Sequence, residues 1–198
     1  MSTFTKAEKE KLIEKFNKAI SYLEYGAGES TVLASNSKRI KKINSIETIS
    51  YWIDHVSPKI NYENKDIKID YIDINSNINY YAYPIDESKK ENWPVYQQSS
   101  KDKIFDLCLI DGRFRVATFL YSYIHAPINC CLMIHDYKRT HYHEIEAVIK
   151  KYSQIDTLGI FYKKEKPNIT KILQIIEKYT NDPRWLIKLI KKNFNRNY

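Results

Sequence analysis

Two short apolar runs do most to limit what this chain can become. "KIFDLCLID" and "NCCLMIHD" are apolar almost throughout, and they end in Asp111 and Asp136. A half-buried strand alternates apolar with polar residues, whereas a continuous apolar run this short reads as a strand covered on both faces. Such strands belong to parallel sheets with helices on either side. The intervening "FRVATFLYSYIHA" carries a helical pattern up to Pro127, so strand, helix and strand follow in the order of a parallel crossover.

The rest of the chain repeats this alternation. Thr5 and Glu8 form a capping-box pattern, and Leu12, Ile13, Phe16, Ala19 and Ile20 recur at helical spacing, predicting a first helix that ends near Ile20. "SYLEY" is a strand candidate, followed by a glycine turn and a helix over about residues 31–37. "KKINSIE" reads as a second strand, "TISYWIDHV" as a helix stopped by Ser57-Pro58, and "DIKIDYIDI" as a third strand. After the two apolar strands, "HYHEIEAVIKKY" reads as a helix and "DTLGIFYKK" as a last strand or tight hairpin. Two amphipathic helices, split at Asp182-Pro183, fill residues 168–198. Residues 75–103 show little periodicity, and a loop of that length inside a compact domain is usually functional. The expected fold is α/β: a single domain over residues 1–198 with a three-layer, Rossmann-like, doubly wound and mostly parallel sheet of six or seven strands.

Composition narrows the setting. The 198 residues suffice for one full core. Cys108, Cys130 and Cys131 lie inside apolar runs, and three cysteines with two adjacent make a poor disulfide framework, so they read as reduced core residues. No apolar stretch is long enough to span a membrane, and "MSTFTKAEKEKL" lacks a signal-peptide core, so a cytoplasmic protein is expected. The formal charge of +8 invites a nucleic-acid partner. The scattered lysines compete with that reading, because a chain so rich in Lys, Asn, Ile and Tyr has a compositional bias of its own; only "WLIKLIKKNFNRNY" concentrates the charge.

The chain has four glycines, and two of them, Gly26 and Gly28, follow the first strand in "LEYGAGEST". In doubly wound sheets ligands bind outside the carboxyl ends of the strands, where glycine lets a ligand approach the main chain. A dinucleotide fingerprint needs a third glycine where this chain has Thr31, and Glu29 adds an anion beside the phosphate position, which argues against NAD. The acid-then-glycines pattern of Glu24, Gly26 and Gly28 resembles motif I of the class I S-adenosylmethionine-dependent methyltransferases, with Ser30 where many members carry a third glycine. The resemblance covers roughly residues 19–164. It implies S-adenosylmethionine as cofactor, held by Glu24, Gly26, Ala27, Gly28, Ser30, Thr31 and Asp111, with Glu47 at the end of the second strand on the ribose hydroxyls. Trp52 is a candidate adenine contact or, equally, a core-facing aromatic.

Two polar clusters end the apolar strands: Asp111, Arg113 and Arg115 in "IDGRFR", and His135, Asp136, Tyr137, Arg139, His141 and His143 in "IHDYKRTHYH". The arrangement is similar to the catechol and sugar O-methyltransferases, which implies Asp111, His135 and Asp136 as a shell for Mg²⁺ or Mn²⁺. The histidine in that set suits Mg²⁺ poorly, and Arg113 puts a fixed cation nearby. The metal-free alternative uses His135, oriented by Asp136, as base for the acceptor hydroxyl. Arg113 and Arg139, with His141, then grip an anionic acceptor such as a uronic acid or sugar nucleotide. Plainer readings stay open: Asp136 as a helix cap, and His141 and His143 as solvated side chains. Tyrosines of residues 79–96 are expected to overhang the substrate side. The absence of an N-P-P-Y-type tetrapeptide after the fourth strand tilts the choice toward oxygen. The resulting expectation is an O-methyltransferase of a sugar or glycan precursor. An RNA or nucleotide methyltransferase and a catalytically silent Rossmann-like binding domain are the alternatives, and the oligomeric state is left open.

Overall fold

The computed structural model describes residues 4–80 and 82–181. The elements run α1 (Lys6–Phe16), β1 (Ser21–Tyr25), α2 (Glu29–Ser35), β2 (Lys42–Glu47), α3 (Ser50–Val56), β3 (Asp66–Tyr71), α4 (Asn92–Gln97), β4 (Leu107–Ile110), α5 (Arg115–His125), β5 (Cys131–Ile134), β6 (Ser153–Ile155), β7 (Leu158–Tyr162) and α6 (Ile169–Thr180). One seven-stranded sheet has the order β3-β2-β1-β4-β5-β7-β6. The first five strands pair in parallel, and β7 runs antiparallel to β5 and β6. The expected doubly wound, mostly parallel sheet is the one observed.

Alternation along the apolar strands divides the core into two layers. Cys108, Ile110, Leu132 and Ile134 face α5 and α6, joined by Leu23 and Tyr25 of β1. Leu107, Leu109, Cys131 and Met133 face the other side with Tyr22, Leu12 and Phe16. The three cysteines are free and buried.

Several boundaries differ from the sequence reading. Helix α1 stops at Phe16 instead of near Ile20, with Asn17 as its C-cap. The N–H of Ile20 is then captured by the Asp106 carboxylate at the foot of β4, 3.0 Å away. Helix α2 starts at Glu29, since the Gly28 N–H donates to Thr31 Oγ1 at 2.9 Å and closes the first turn early. Residues 140–147 form a 3₁₀ segment and not the expected α-helix; Tyr142 and Ile145 are its buried positions, three apart, and three residues per turn puts both on one face. "DTLGIFYKK" supplies β7 and the turn of a tight hairpin, where Asp156 takes a left-handed conformation (φ 49°). Residues 75–103 are not one open loop. They contain α4, whose Trp93 and Tyr96 are fully buried. The second expected C-terminal helix and the basic "WLIKLIKKNFNRNY" lie outside the described residues.

Candidate active site

The glycine turn joins β1 to α2 at the centre of the sheet, beside the end of β4. Gly26 has φ 96°, and a Cβ there would lie 3.1 Å from the backbone of Asp111 and Gly112. Glycine is required at position 26 by both the turn and the contact between two loops. Gly28 is different: nothing lies within 4 Å of the place a Cβ would take, so this part of the loop is open to a ligand. Gly112 completes the arrangement, because a Cβ there would fall 1.9 Å from the Tyr96 hydroxyl.

Glu24 sits beneath the turn and is fully buried. It accepts hydrogen bonds from Tyr22, Ser30 and Thr31 hydroxyls. Burial pushes its carboxyl up to about 7, despite these donors. Ser30 and Thr31 are therefore held by the same acid that precedes the glycines. Glu47, at the end of β2, reaches across to the turn: Oε2 accepts from the Ala27 N–H at 2.8 Å, and Oε1 accepts from the N–H groups of Thr48 and Ile49. Burial nonetheless holds its pKa above the usual carboxylate range. Trp52 is not a core residue; it is 36% exposed on α3, edge-on to Tyr51 and His55.

At the ends of β4 and β5, Arg115 enters the interior between Asp111 and Asp136. Its Nη2 lies 2.9 Å from Asp111 Oδ1 and its Nη1 lies 3.0 Å from Asp136 Oδ2. His135 is oriented by Asp111, at 3.0 Å from Nδ1, and not by Asp136 as expected. Its Nε2 faces Glu8 of α1 at 3.5 Å, and its ring packs on Phe4. Burial works to raise the Asp111 pKa, but Arg115 and His135 hold it below the ordinary carboxylate value. For His135 burial works downward and is outweighed by Asp111, so its pKa ends above the ordinary imidazole value. Asp136, at φ 60°, does not cap the following segment: Arg139 is its N-cap residue and makes no side-chain cap bond. Arg139 instead pairs with Asp136 Oδ2 at 2.7 Å.

A small cleft opens beside these groups, lined by Tyr83, Gly112, Arg113, His141, Tyr142 and Tyr179. The Arg113 guanidinium stacks 4.6 Å from the Tyr83 ring and makes no ion pair among the described residues. Burial and the neighbouring Arg115 charge pull its pKa down. Burial and Arg139 likewise lower His141, favouring its neutral form. His143 is turned to the Tyr137 carbonyl, 2.9 Å from Nε2. Of the tyrosines in residues 79–96, Tyr83 lines the cleft. The sequence reading named Arg115 only as a member of the "IDGRFR" cluster and Glu8 only as part of a capping box, and gave neither of them, nor Tyr96, a role at the site; the Asp111–Arg115 spacing of four in "DGRFR" is the signal for the first.

The donor set does not fit a divalent cation. Among the described residues no group of three His, Cys, Asp or Glu side chains converges on a metal position. A guanidinium already neutralises the two carboxylates that such a shell needs.

No family model and no curated protein matches the sequence. Solved structures do match the fold. A methyltransferase-like protein from Silicibacter pomeroyi superposes with a TM-score of 0.80 at 24% identity, covering 92% of this chain and 98% of that one. The N-methyltransferase NodS from Bradyrhizobium japonicum, in complex with S-adenosyl-L-homocysteine, gives a TM-score of 0.55 at 11% identity over 82% of this chain and 90% of that one. A methyltransferase from Pyrococcus furiosus gives 0.50 at 12% identity over 80% and 82%. The fold is that of the class I methyltransferases. No helix among the described residues is long and apolar enough to cross a membrane.

Proposed function

We propose that the chain is an S-adenosylmethionine-dependent methyltransferase that methylates a hydroxyl of a sugar or glycan precursor carrying an anionic group. The observation that carries the cofactor assignment is the 2.8 Å bond from the Ala27 N–H to Glu47 Oε2, which sets the open glycine turn and a ribose-binding acid against each other at the centre of the sheet. Glu47 then accepts from the ribose hydroxyls, Gly28 gives the methionine portion access to the main chain, and Trp52 lies on the adenine side. Transfer breaks the S–CH₃ bond and forms O–CH₃ in line. The hydroxyl is oriented by Asp111, whose Oδ2 makes no hydrogen bond among the described residues, and its proton leaves toward the Asp111–His135 pair. Arg113 grips the acceptor's anion, with His141 beside it in the cleft.

A nucleic-acid acceptor is the second reading. It is favoured by residues 182–198, whose five Lys and Arg against one Asp carry +4 of the +8 formal charge.

Titration with S-adenosylhomocysteine in a calorimeter tests the first step. The parent binds, and Glu47→Ala weakens binding by about 1.5–3 kcal/mol, the scale of hydrogen bonds to a charged group. Equal binding by parent and variant sinks the cofactor assignment. Transfer of labelled methyl to uronic acids or sugar nucleotides, weighed against RNA, decides the acceptor; binding without transfer to either leaves a silent domain.

A further inference from the structure

The role of Arg115 goes beyond that reading. Its guanidinium makes four hydrogen bonds and a further ion-pair contact. Nε donates to the Gly112 carbonyl at 3.0 Å, Nη1 to the His135 carbonyl at 2.8 Å and to Asp136 Oδ2, and Nη2 to the Asp111 carbonyl at 2.9 Å, while Nη2 also lies in ion-pair contact with Asp111 Oδ1 at 2.9 Å. The side chain is only 7% exposed. These bonds stitch together the loops that follow β4 and β5. Both loops bend sharply to meet it, with Phe114 at φ 49° and Asp136 at φ 60°. Aspartate tolerates that region, whereas for phenylalanine it is an outlier that needs support.

We propose that Arg115 occupies the position a divalent cation takes between paired carboxylates, making this a catalytic edge with a built-in organic cation that works without a metal. The guanidinium pins one oxygen of each acid. Asp111 Oδ1 is shared with His135, and Asp136 Oδ2 with Arg139. The other oxygen of each, Oδ2 of Asp111 and Oδ1 of Asp136, accepts no hydrogen bond among the described residues. A metal and this side chain exclude one another here. Arginine does not deprotonate, so a dication would have to displace it against charge repulsion and at the loss of four hydrogen bonds and two ion pairs. Arg115 is thus a positioning residue, keeping the Asp111 carboxylate ionised and turned so that one oxygen stays available. The consequence for catalysis rests on the methyltransferase reading, but the exclusion of metal does not.

The test is a Mn²⁺ titration of chelator-treated full-length protein, followed by electron paramagnetic resonance, on the parent, Arg115→Met and the double variant Arg115→Met/Asp136→Asn. The parent leaves Mn²⁺ free into the millimolar range. Arg115→Met frees Asp111 and Asp136 to turn, with His135, toward a shared cation and binds Mn²⁺ at least ~10-fold more tightly, since carboxylate and imidazole form a suitable donor set for that ion. The double variant loses the gain. A purely structural arginine predicts no gain at all. Tight Mn²⁺ binding by the parent that disappears in Asp111→Asn overturns the proposal, as does a folded Arg115→Met that binds no more than the parent. If Arg115→Met does not fold, the parent titration decides alone. S-adenosylhomocysteine binding measured on the same samples keeps failure of the methyltransferase reading separate from failure of this one.

Discussion

At the scale of single residues, Glu24 shows how one acid can serve the fold before it serves a ligand. Motif I reads as an acid followed by glycines, which invites the view that all three meet the cofactor. Glu24 instead accepts from Tyr22, Ser30 and Thr31 and is fully buried, and of the glycines only Gly28 is open. The sequence pattern was legible; the division of labour within it depends on which loop packs beneath which. A pH effect follows. Burial raises Glu24 from 4.5 to about 7, so the native state keeps this proton after the unfolded chain has lost it. The stability it contributes is therefore full below about pH 4.5 and is lost as the pH rises through 7, opposite in sign to an ion-paired carboxylate. Glu24→Gln keeps the shape and removes the titration. Urea unfolding should give variant and parent similar stabilities at pH 5, with the variant gaining on the order of 3 kcal/mol relative to the parent by pH 8. A stability difference that stays constant between those pH values would mean that Glu24 titrates as an ordinary surface acid.

Among the elements, α1 carries the most information that sequence could not supply. Its capping box was readable, and Thr5 and Glu8 form it. The second use of Glu8 was not readable, because its partners are distant in the chain: Oε1 accepts from Thr157 N–H and hydroxyl, and Oε2 faces His135 Nε2. Phe4 packs on the same ring, so the start of α1 is docked against the proposed catalytic edge. The His135 pKa lies above its ordinary value, which makes its contribution to this docking full below pH 6.5 and lost as the pH rises through the folded-state value. Hydrogen exchange should report this locally. In Glu8→Ala the amides of α1 exchange ~10–100-fold faster, as expected for about 1.5–3 kcal/mol lost from charge-assisted bonds, while those of β4 and β5 are unchanged. Uniform acceleration across the sheet would show that Glu8 supports the global fold and not the docking of one helix.

For the whole molecule, the alternation of strands and helices was legible because β4 and β5, covered on both faces, leave a parallel sheet as the one arrangement that buries them. The strand order was not read from the sequence, and the choice of Arg115 over Arg113 as the buried cation was hidden by a backbone detail, the left-handed Phe114 between them. The same sheet fixes how a ligand acts on the molecule. Elements meeting at the proposed cofactor cleft come from β1 and β2 on one side and β4 on the other, and Gly26 packs directly on Asp111 and Gly112 across that line. A cofactor held there bridges both halves of the sheet, so its binding energy must appear in the unfolding of the entire domain. At ~100 times its dissociation constant, S-adenosylhomocysteine adds about 2.7 kcal/mol by mass action. For a chain of this length that amounts to a rise in Tm of about 5–10 °C. Scanning calorimetry should show one transition that moves upward as a unit. Two transitions, with only one of them shifted, would place the ligand on a single half of the sheet and remove the bridging role given to the glycine turn and Glu47.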